Sequence, residues 1–247
     1  MEPIHSQTFA VTDQCVDCYG RLKPSTLLYF AQEAAGQHCL KLEVDHDSLA
    51  DHRLFWAVTR HRVQVSRLPV SGETITLETW PMPTTRVAFP RSMVAYDADG
   101  QELFRSISLW VLMNLDNRSM VLPGKSGIEV NGTLRGSELA VPHSILPMTL
   151  ENHVDKTVTY SLLDRNGHMN NTRYLDWIDD LLPSAFHQGH TVREFTVCYL
   201  SEAREGQEIC LNWELSDGPC LHVDAHRAST DVPGKQDRVF SAQVLFD

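Results

Sequence analysis

Two stretches decide the reading of this chain. The first is Asp17-Cys-Tyr-Gly20-Arg-Leu22-Lys-Pro-Ser-Thr-Leu-Leu28-Tyr-Phe30. The second is Asp164-Arg-Asn166-Gly167-His168-Met169-Asn-Asn-Thr-Arg-Tyr-Leu175-Asp-Trp177. They align without a gap: Asp17 falls on Asp164, Gly20 on Gly167, Leu22 on Met169, Leu28 on Leu175 and Phe30 on Trp177. The differences are polar. Tyr19 stands opposite Asn166, and Arg21 opposite His168. Further along, Val63 to Gly72 aligns with Val197 to Gly206, and there Leu68 stands opposite Glu202. A unit repeated in sequence is a unit repeated in the fold. A repeat in which only one copy gains Asp, Asn, His and Glu together implies a duplicated domain with one active site.

The remaining sequence sets the bounds. A chain of 247 residues holds one large or two small domains, and the repeat favours two halves. A hydrophobic fraction of 42% and a charged fraction of 21% are ordinary for a soluble globular protein. No apolar run approaches the roughly 20 residues of a membrane span. The segment MEPIHSQTF lacks the basic and apolar regions of a secretory signal. With six scattered cysteines read as reduced thiols, this favours a cytoplasmic protein. A net charge of −11 argues against a nucleic-acid partner. A run of Arg53, Arg60, His61, Arg62 and Arg67 meets an acidic partner only if some of its members share a face.

Periodicity predicts a strand over 6–16 and a helix over 24–40. Pro24 suits the first helical turn, and Leu27, Phe30, Ala31, Ala34 and Ala35 make an apolar stripe. Strands follow over 54–67, 73–81, 86–97 and 102–115. The second half repeats the order: a strand over 152–163, a helix over 171–182, and strands near 191–201, 207–216, 219–228 and 238–246. Pro123 to Leu150 is rich in Gly, Ser and Pro and reads as a linker. One helix followed by antiparallel strands, twice, is an α+β class. The expected organisation is an N-terminal domain over 1–125, a linker over 126–150 and a C-terminal domain over 151–247.

Asp164, Asn166 and His168 lie where a strand turns into a helix, and Asn170 or Asn171 can cap that helix. A helix N-terminus offers unpaired N–H groups that stabilise an oxyanion, and a carboxylate beside an imidazole activates water. Asp-x-Asn-Gly is also common turn chemistry. The first copy builds the turn from Asp17-Cys-Tyr-Gly20, without Asn or His, so turn geometry alone does not demand them. Cys15-x-x-Cys18 has no matching second pair for zinc, and neither a nucleophile elbow nor a phosphate loop is present. No metal and no cofactor is expected.

The stretch from Asp164 to Tyr174 closely resembles the signature of the acyl-acyl carrier protein thioesterases. Trp56-Ala-Val-Thr-Arg60, Gly72-Glu-Thr with Thr79-Trp80, Ser108-Leu-Trp110-Val-Leu-Met-Asn114 and Tyr199-Leu-Ser-Glu202-Ala203 look like further landmarks of that family. The resemblance implies two tandem hot-dog domains, each a curled antiparallel sheet wrapping a central helix. It implies that the C-terminal domain holds the catalytic set Asp164, Asn166, His168 and Glu202, with Asn170, Asn171 and Tyr174 supporting the helix start. It also implies that the N-terminal domain shapes an acyl pocket, for which Leu27, Phe30, Ala31, Ala34 and Trp56 are candidate liners. Plant members often carry Cys after the glutamate; Ala203 stands here, which removes a Cys–His nucleophile and leaves carboxylate and imidazole chemistry. The implied reaction is hydrolysis of a fatty acyl thioester on acyl carrier protein, in a monomer or homodimer. Acyl-CoA hydrolysis, acyl-thioester dehydration and non-catalytic acyl binding are the alternatives. Either Asp164 or Glu202 serves as the base, acting on water or attacking directly to give a mixed anhydride.

Overall fold

Pro24 opens the first long helix, α1 (Pro24–Lys41), from an extended Lys23. Its missing N–H costs nothing at the first helical position. The helix buries Leu27, Leu28, Phe30, Ala31, Ala34, Ala35 and His38. A computed structural model describes residues 3–247 except 230, 231 and 233. The chain divides into two compact units, Met1–Pro142 and His143–Asp247.

In the first unit, β1 (His5–Ala10) precedes α1, and a short helix α2 (His46–Asp51), capped by the Asp45 side chain, follows it. Then come β2 (Leu54–Val65), β3 (Thr74–Pro81), β4 (Phe89–Tyr96), β5 (Glu102–Asn114), β6 (Met120–Val121) and a one-turn helix α3 (Pro123–Ser126). The strand order is β1-β3-β4-β5-β2, with β6 on β5, and every pairing is antiparallel. Helix α1 packs on β1 and β3, where Phe30 stacks on Phe9 with ring centroids 4.5 Å apart.

The second unit contains β7 (Asn152–Thr157), α4 (Arg173–Asp179), α5 (Ser184–Gly189), β8 (Val192–Tyr199), β9 (Glu208–Ser216), β10 (Cys220–Ala228) and β11 (Gln236–Phe246). Its order, β7-β9-β10-β11-β8, is the first unit's order again, and its pairings are also antiparallel. The duplication extends to single hydrogen bonds. Val11 N donates to Glu73 O, and Val158 N to Gln207 O. Leu22 N donates to Pro69 O, and Met169 N to Ala203 O, both at 2.8 Å.

Three boundaries differ from the periodicity. The strands expected over 6–16 and 152–163 stop at Ala10 and Thr157, and 3-10 turns follow at Asp13–Cys15 and Tyr160–Leu162. A single such turn is too short to disturb an alternating pattern. The helix expected over 171–182 ends at Asp179, because Pro183 disfavours helical backbone in the residue before it, and α5 starts beyond the proline.

The segment expected as a linker packs on the units it joins. Thr133 N donates to Pro81 O at 2.9 Å, Trp80 Nε1 to Glu138 at 3.2 Å, Arg105 to the Ser137 carbonyl at 2.6 Å and Arg60 to the Pro142 carbonyl at 3.1 Å. Arg135 lies 4.9 Å over the Trp80 ring and pairs with Glu78. In the second unit, Arg238 reaches the Ile145 carbonyl at 3.3 Å. Gly132 sits so close to β3 that a Cβ there would lie 2.2 Å from the Met82 backbone.

On the α1 side of the first sheet, register places Pro81, Arg91, Ser108 and His61 in one cross-strand row. His61 is 5% exposed, and burial drives its pKa down to about 3. The imidazole is therefore neutral in the folded protein at neutral pH.

Two predictions follow from this packing. Gly132→Ala should cost roughly 1–3 kcal/mol by overpacking, whereas Gly36→Ala, in open space on α1, should add about 0.4–1 kcal/mol. Opposite shifts in urea midpoint check the pair. Below about pH 6.5 the unfolded chain protonates His61 while the folded chain does not. Stability should therefore fall as pH drops from there towards 3, and His61→Phe should flatten that part of the stability–pH curve.

Candidate active site

The turn from Asp164 to Gly167 is built by its own carboxylate. Asp164 Oδ1 accepts the backbone N–H of Asn166 at 2.8 Å and of His168 at 3.3 Å. Gly167 N donates to Asp164 O at 3.0 Å, and Gly167 takes the φ of 75° that glycine adopts without strain. The first copy does the same: Asp17 Oδ1 accepts from Tyr19 N and Arg21 N, each at 2.9 Å. The shared aspartate is thus the turn former. The chemistry that differs hangs on the positions it fixes.

In the first copy Arg21 folds back onto Asp17 at 3.0 Å. In the second copy His168 reaches across to Glu202 instead, with Nε2 2.9 Å from Oε2. The imidazole is nearly buried, at 11% side-chain exposure, while the Glu202 carboxylate keeps 34%. The clamp from Met169 N to Ala203 O sets these neighbours opposite each other. The Asn166 amide lies 3.4 Å from Asp164 Oδ2. Asp164, Asn166, His168 and Glu202 therefore form one connected group.

The support residues also converge. Asn170 Oδ1 accepts from Thr172 N and Thr172 Oγ1, each at 2.9 Å, and the Asn170 carbonyl accepts from Arg173 N at 3.0 Å. Asn170 is thus the capping asparagine. Asn171 contributes its carbonyl, which takes the Tyr199 hydroxyl proton at 3.0 Å. Tyr174 packs edge-on against Tyr199 and Phe240, and burial raises its hydroxyl pKa. One expectation changes: α4 is seven residues long, and the N–H groups of Thr172 and Arg173 at its start are already taken by Asn170. They are not open to an oxyanion.

Two arginines escaped the sequence reading. Arg204 Nη2 lies 3.6 Å from the Glu202 carboxylate. Arg227, on β10, donates to the Glu202 carbonyl and to Gln207 Oε1, the latter at 2.9 Å. Arg204 stands two residues past Glu202 and was within reach of the motif. Arg227 comes from a distant strand and carries no local signal.

The candidate acyl liners lie in the first unit. Leu27, Phe30, Ala31 and Ala34 are buried on α1. Trp56 packs with Leu49, Leu54, Phe89 and Leu112, and its Nε1 donates to the Val44 carbonyl at 2.8 Å. The basic run does not form one patch. His61 is buried, Arg53 pairs with Asp116, and Arg67 pairs with Glu73 and Asp97. All six cysteines are free thiols, and no cluster of metal-ligating side chains occurs among the described residues.

Comparison with known proteins gives a consistent picture. Residues 2–122 match the family model of the acyl-ACP thioesterase N-terminal domain, and residues 148–236 that of the C-terminal domain. A palmitoyl-acyl carrier protein thioesterase of Gossypium hirsutum is 27% identical over 214 residues, covering 81% of this chain and 52% of that protein. The chain thus spans about half the length of the curated relatives it matches. An acyl-ACP thioesterase structure from Bacteroides thetaiotaomicron superposes with a TM-score of 0.88 at 24% identity, covering 99% of this chain and 98% of that one. The 12:0-ACP thioesterase of Umbellularia californica superposes with a TM-score of 0.83 at 22% identity, covering 100% and 98%.

If Asp164 acts through the turn, Asp164→Ala should destabilise the protein by about 1–2 kcal/mol, since two N–H groups lose their acceptor. Asp164→Asn keeps an accepting oxygen and should lose less. Equilibrium unfolding in urea separates the two variants.

Proposed function

The chain belongs to the acyl-ACP thioesterase family, and we propose that it hydrolyses fatty acyl thioesters carried on acyl carrier protein, releasing the free acid. The observation that carries this reading is the contact between His168 and Glu202, 2.9 Å apart in the one copy of the repeat that has them. We read the two units as tandem hot-dog domains, with the acyl chain bound in the first and the chemistry in the second.

The proposed mechanism follows from what each group is free to do. Asp164 Oδ1 accepts two backbone N–H groups and so positions the turn, while Oδ2 faces the Asn166 amide. Glu202, one-third exposed, accepts a hydrogen bond from His168 Nε2–H and stabilises an imidazolium. His168 then takes a proton from water as the water attacks the thioester carbonyl. The tetrahedral intermediate collapses, the C–S bond breaks, and the thiolate leaves with a proton returned from His168. The Asn166 side-chain amide polarises the carbonyl oxygen. Burial of His168 keeps it from competing water. The direct route, in which a carboxylate attacks to form a mixed anhydride, differs in where oxygen enters.

The test is free acid release from acyl-carrier-protein and acyl-CoA series of graded length, with wild type, His168→Ala and Glu202→Gln. His168→Ala should lower kcat by about 10²–10⁴, with little change in KM. A preference for the CoA series would move the substrate to acyl-CoA. Absence of release from both series, in folded protein, would overturn hydrolysis. Single turnover in oxygen-18 water should place label in the product acid and none in the protein; label in Glu202 or Asp164 would establish the anhydride route.

A further inference from the structure

The row Pro81–Arg91–Ser108–His61 crosses the first sheet beneath α1. The equivalent row of the second sheet follows from the alignment of Val63–Gly72 with Val197–Gly206. It reads Leu215–Leu221–Val244–Phe195, with pairings in the same sequence. Leu221, Val244 and Phe195 are all buried. The scaffold therefore fills this row with hydrocarbon when nothing else is asked of it. In the first unit the same row holds a guanidinium, a hydroxyl and an imidazole.

That substitution is costly. Arg91 is 9% exposed, and a guanidinium does not shed its charge in a protein. Its contacts are neutral: His38 Nδ1 at 3.2 Å, Thr79 Oγ1 at 3.3 Å and Cys39 Sγ at 3.7 Å. Burial pushes the Cys39 thiol pKa up, so that sulfur brings no counter-charge. No carboxylate among the described residues pairs with Arg91. Beside it, His61 Nε2 is 3.2 Å from Ser106 Oγ, and its Nδ1 is buried without a hydrogen-bond partner among the described residues. Ser108 Oγ accepts from Trp110 Nε1 at 2.8 Å.

The band lies between two apolar regions on the same sheet face. On one side Phe9, Phe30 and Ile75 meet α1; on the other are Trp56, Phe89 and Trp110. Phe30 and Trp56, one from each region, are among the residues read above as acyl liners, so a chain lying along both crosses Arg91 and His61.

We propose that this band is a recognition site for a carboxylate on the acyl chain, so that the first unit accepts acyl thioesters whose chain carries an acid group remote from the thioester. The proposal rests on the acyl-pocket reading of that unit. A carboxylate would meet the Arg91 fork with two parallel N–H···O bonds and give the buried cation its missing counter-charge. His61 Nδ1–H would donate a further hydrogen bond, with Nε2 accepting from Ser106 Oγ. The energetic logic is specificity: a plain hydrocarbon chain leaves Arg91 without a counter-charge and His61 Nδ1 without a partner, whereas a matched acid supplies both.

The experiment compares two series of acyl-carrier-protein thioesters over graded lengths, one unsubstituted and one ending in a carboxylate, with the full chain. At one or more lengths wild type should show kcat/KM at least tenfold higher for the acid-tipped substrate. Arg91→Leu, which installs the second unit's residue, should reverse that preference. His61→Phe should narrow it. Unsubstituted chains preferred by wild type at every length would overturn the proposal, whether or not the variants fold. The same holds if Arg91→Leu lowers both series equally. Hydrolysis of plain chains that depends on His168, without any preference for the acid, removes only this proposal. If neither series is hydrolysed, the thioesterase reading fails, and thermal unfolding of wild type with an α,ω-dicarboxylic acid and with a monocarboxylic acid of equal length decides the site. An Arg91-dependent stabilisation by the diacid alone supports it, and equal shifts or none overturn it.

Discussion

The backbone hydrogen bond from Met169 to the Ala203 carbonyl is the contact on which the meeting of His168 and Glu202 depends. It pins the loop before α4 to the loop between β8 and β9. The residues immediately before its two ends are His168 and Glu202, and these side chains meet because the backbone beneath them is clamped. The same clamp, Leu22 to the Pro69 carbonyl, exists in the first unit. There the residues before the two ends are Arg21 and Leu68, and Arg21 turns to Asp17. One backbone bond thus serves both units, and the side chains beside it differ.

Each copy serves as the control for the other. The aspartate turn is common to both and belongs to the fold. The imidazole and the glutamate occur in the second copy alone, whereas the buried guanidinium and imidazole under α1 occur in the first alone. Polar groups have been added at opposite places in the two units. Opposite Glu202, Arg91 and His61 the other unit carries Leu68, Leu221 and Phe195, whereas opposite His168 it carries Arg21, paired with Asp17. The two units differ in these side chains without any change in strand order.

Much of this was legible in the sequence because the information is local. Asp-x-x-Gly turns write their own hydrogen bonds, α1 announces itself by its stripe and its proline, and strand alternation follows from the pleat. Glu202 was legible by aligning the copies and by its family-like flanks, while its partner is distant in sequence. Other features were hidden for physical reasons. His61 sits in a basic run that suggests surface, but strand parity turns it inward while Arg60 and Arg62 point the other way. Arg227 reaches Glu202 through sheet register, which no local pattern encodes. The 3-10 turns after β1 and β7 preserve the alternation of a strand and so pass for one.

The joining segment has a consequence for how this architecture came apart and together. Its residues 132–142 are part of the wall of the first unit: they cover Trp80, anchor Arg60 and Arg105, and admit only glycine at position 132. A duplicated gene needs only a tether between its copies. Here the tether has become cladding, so the first copy is no longer a self-sufficient module that ends where its last strand ends. The compact unit runs to Pro142, and a piece cut before Arg135 would bare the Trp80 ring that Arg135 and Glu138 now cover.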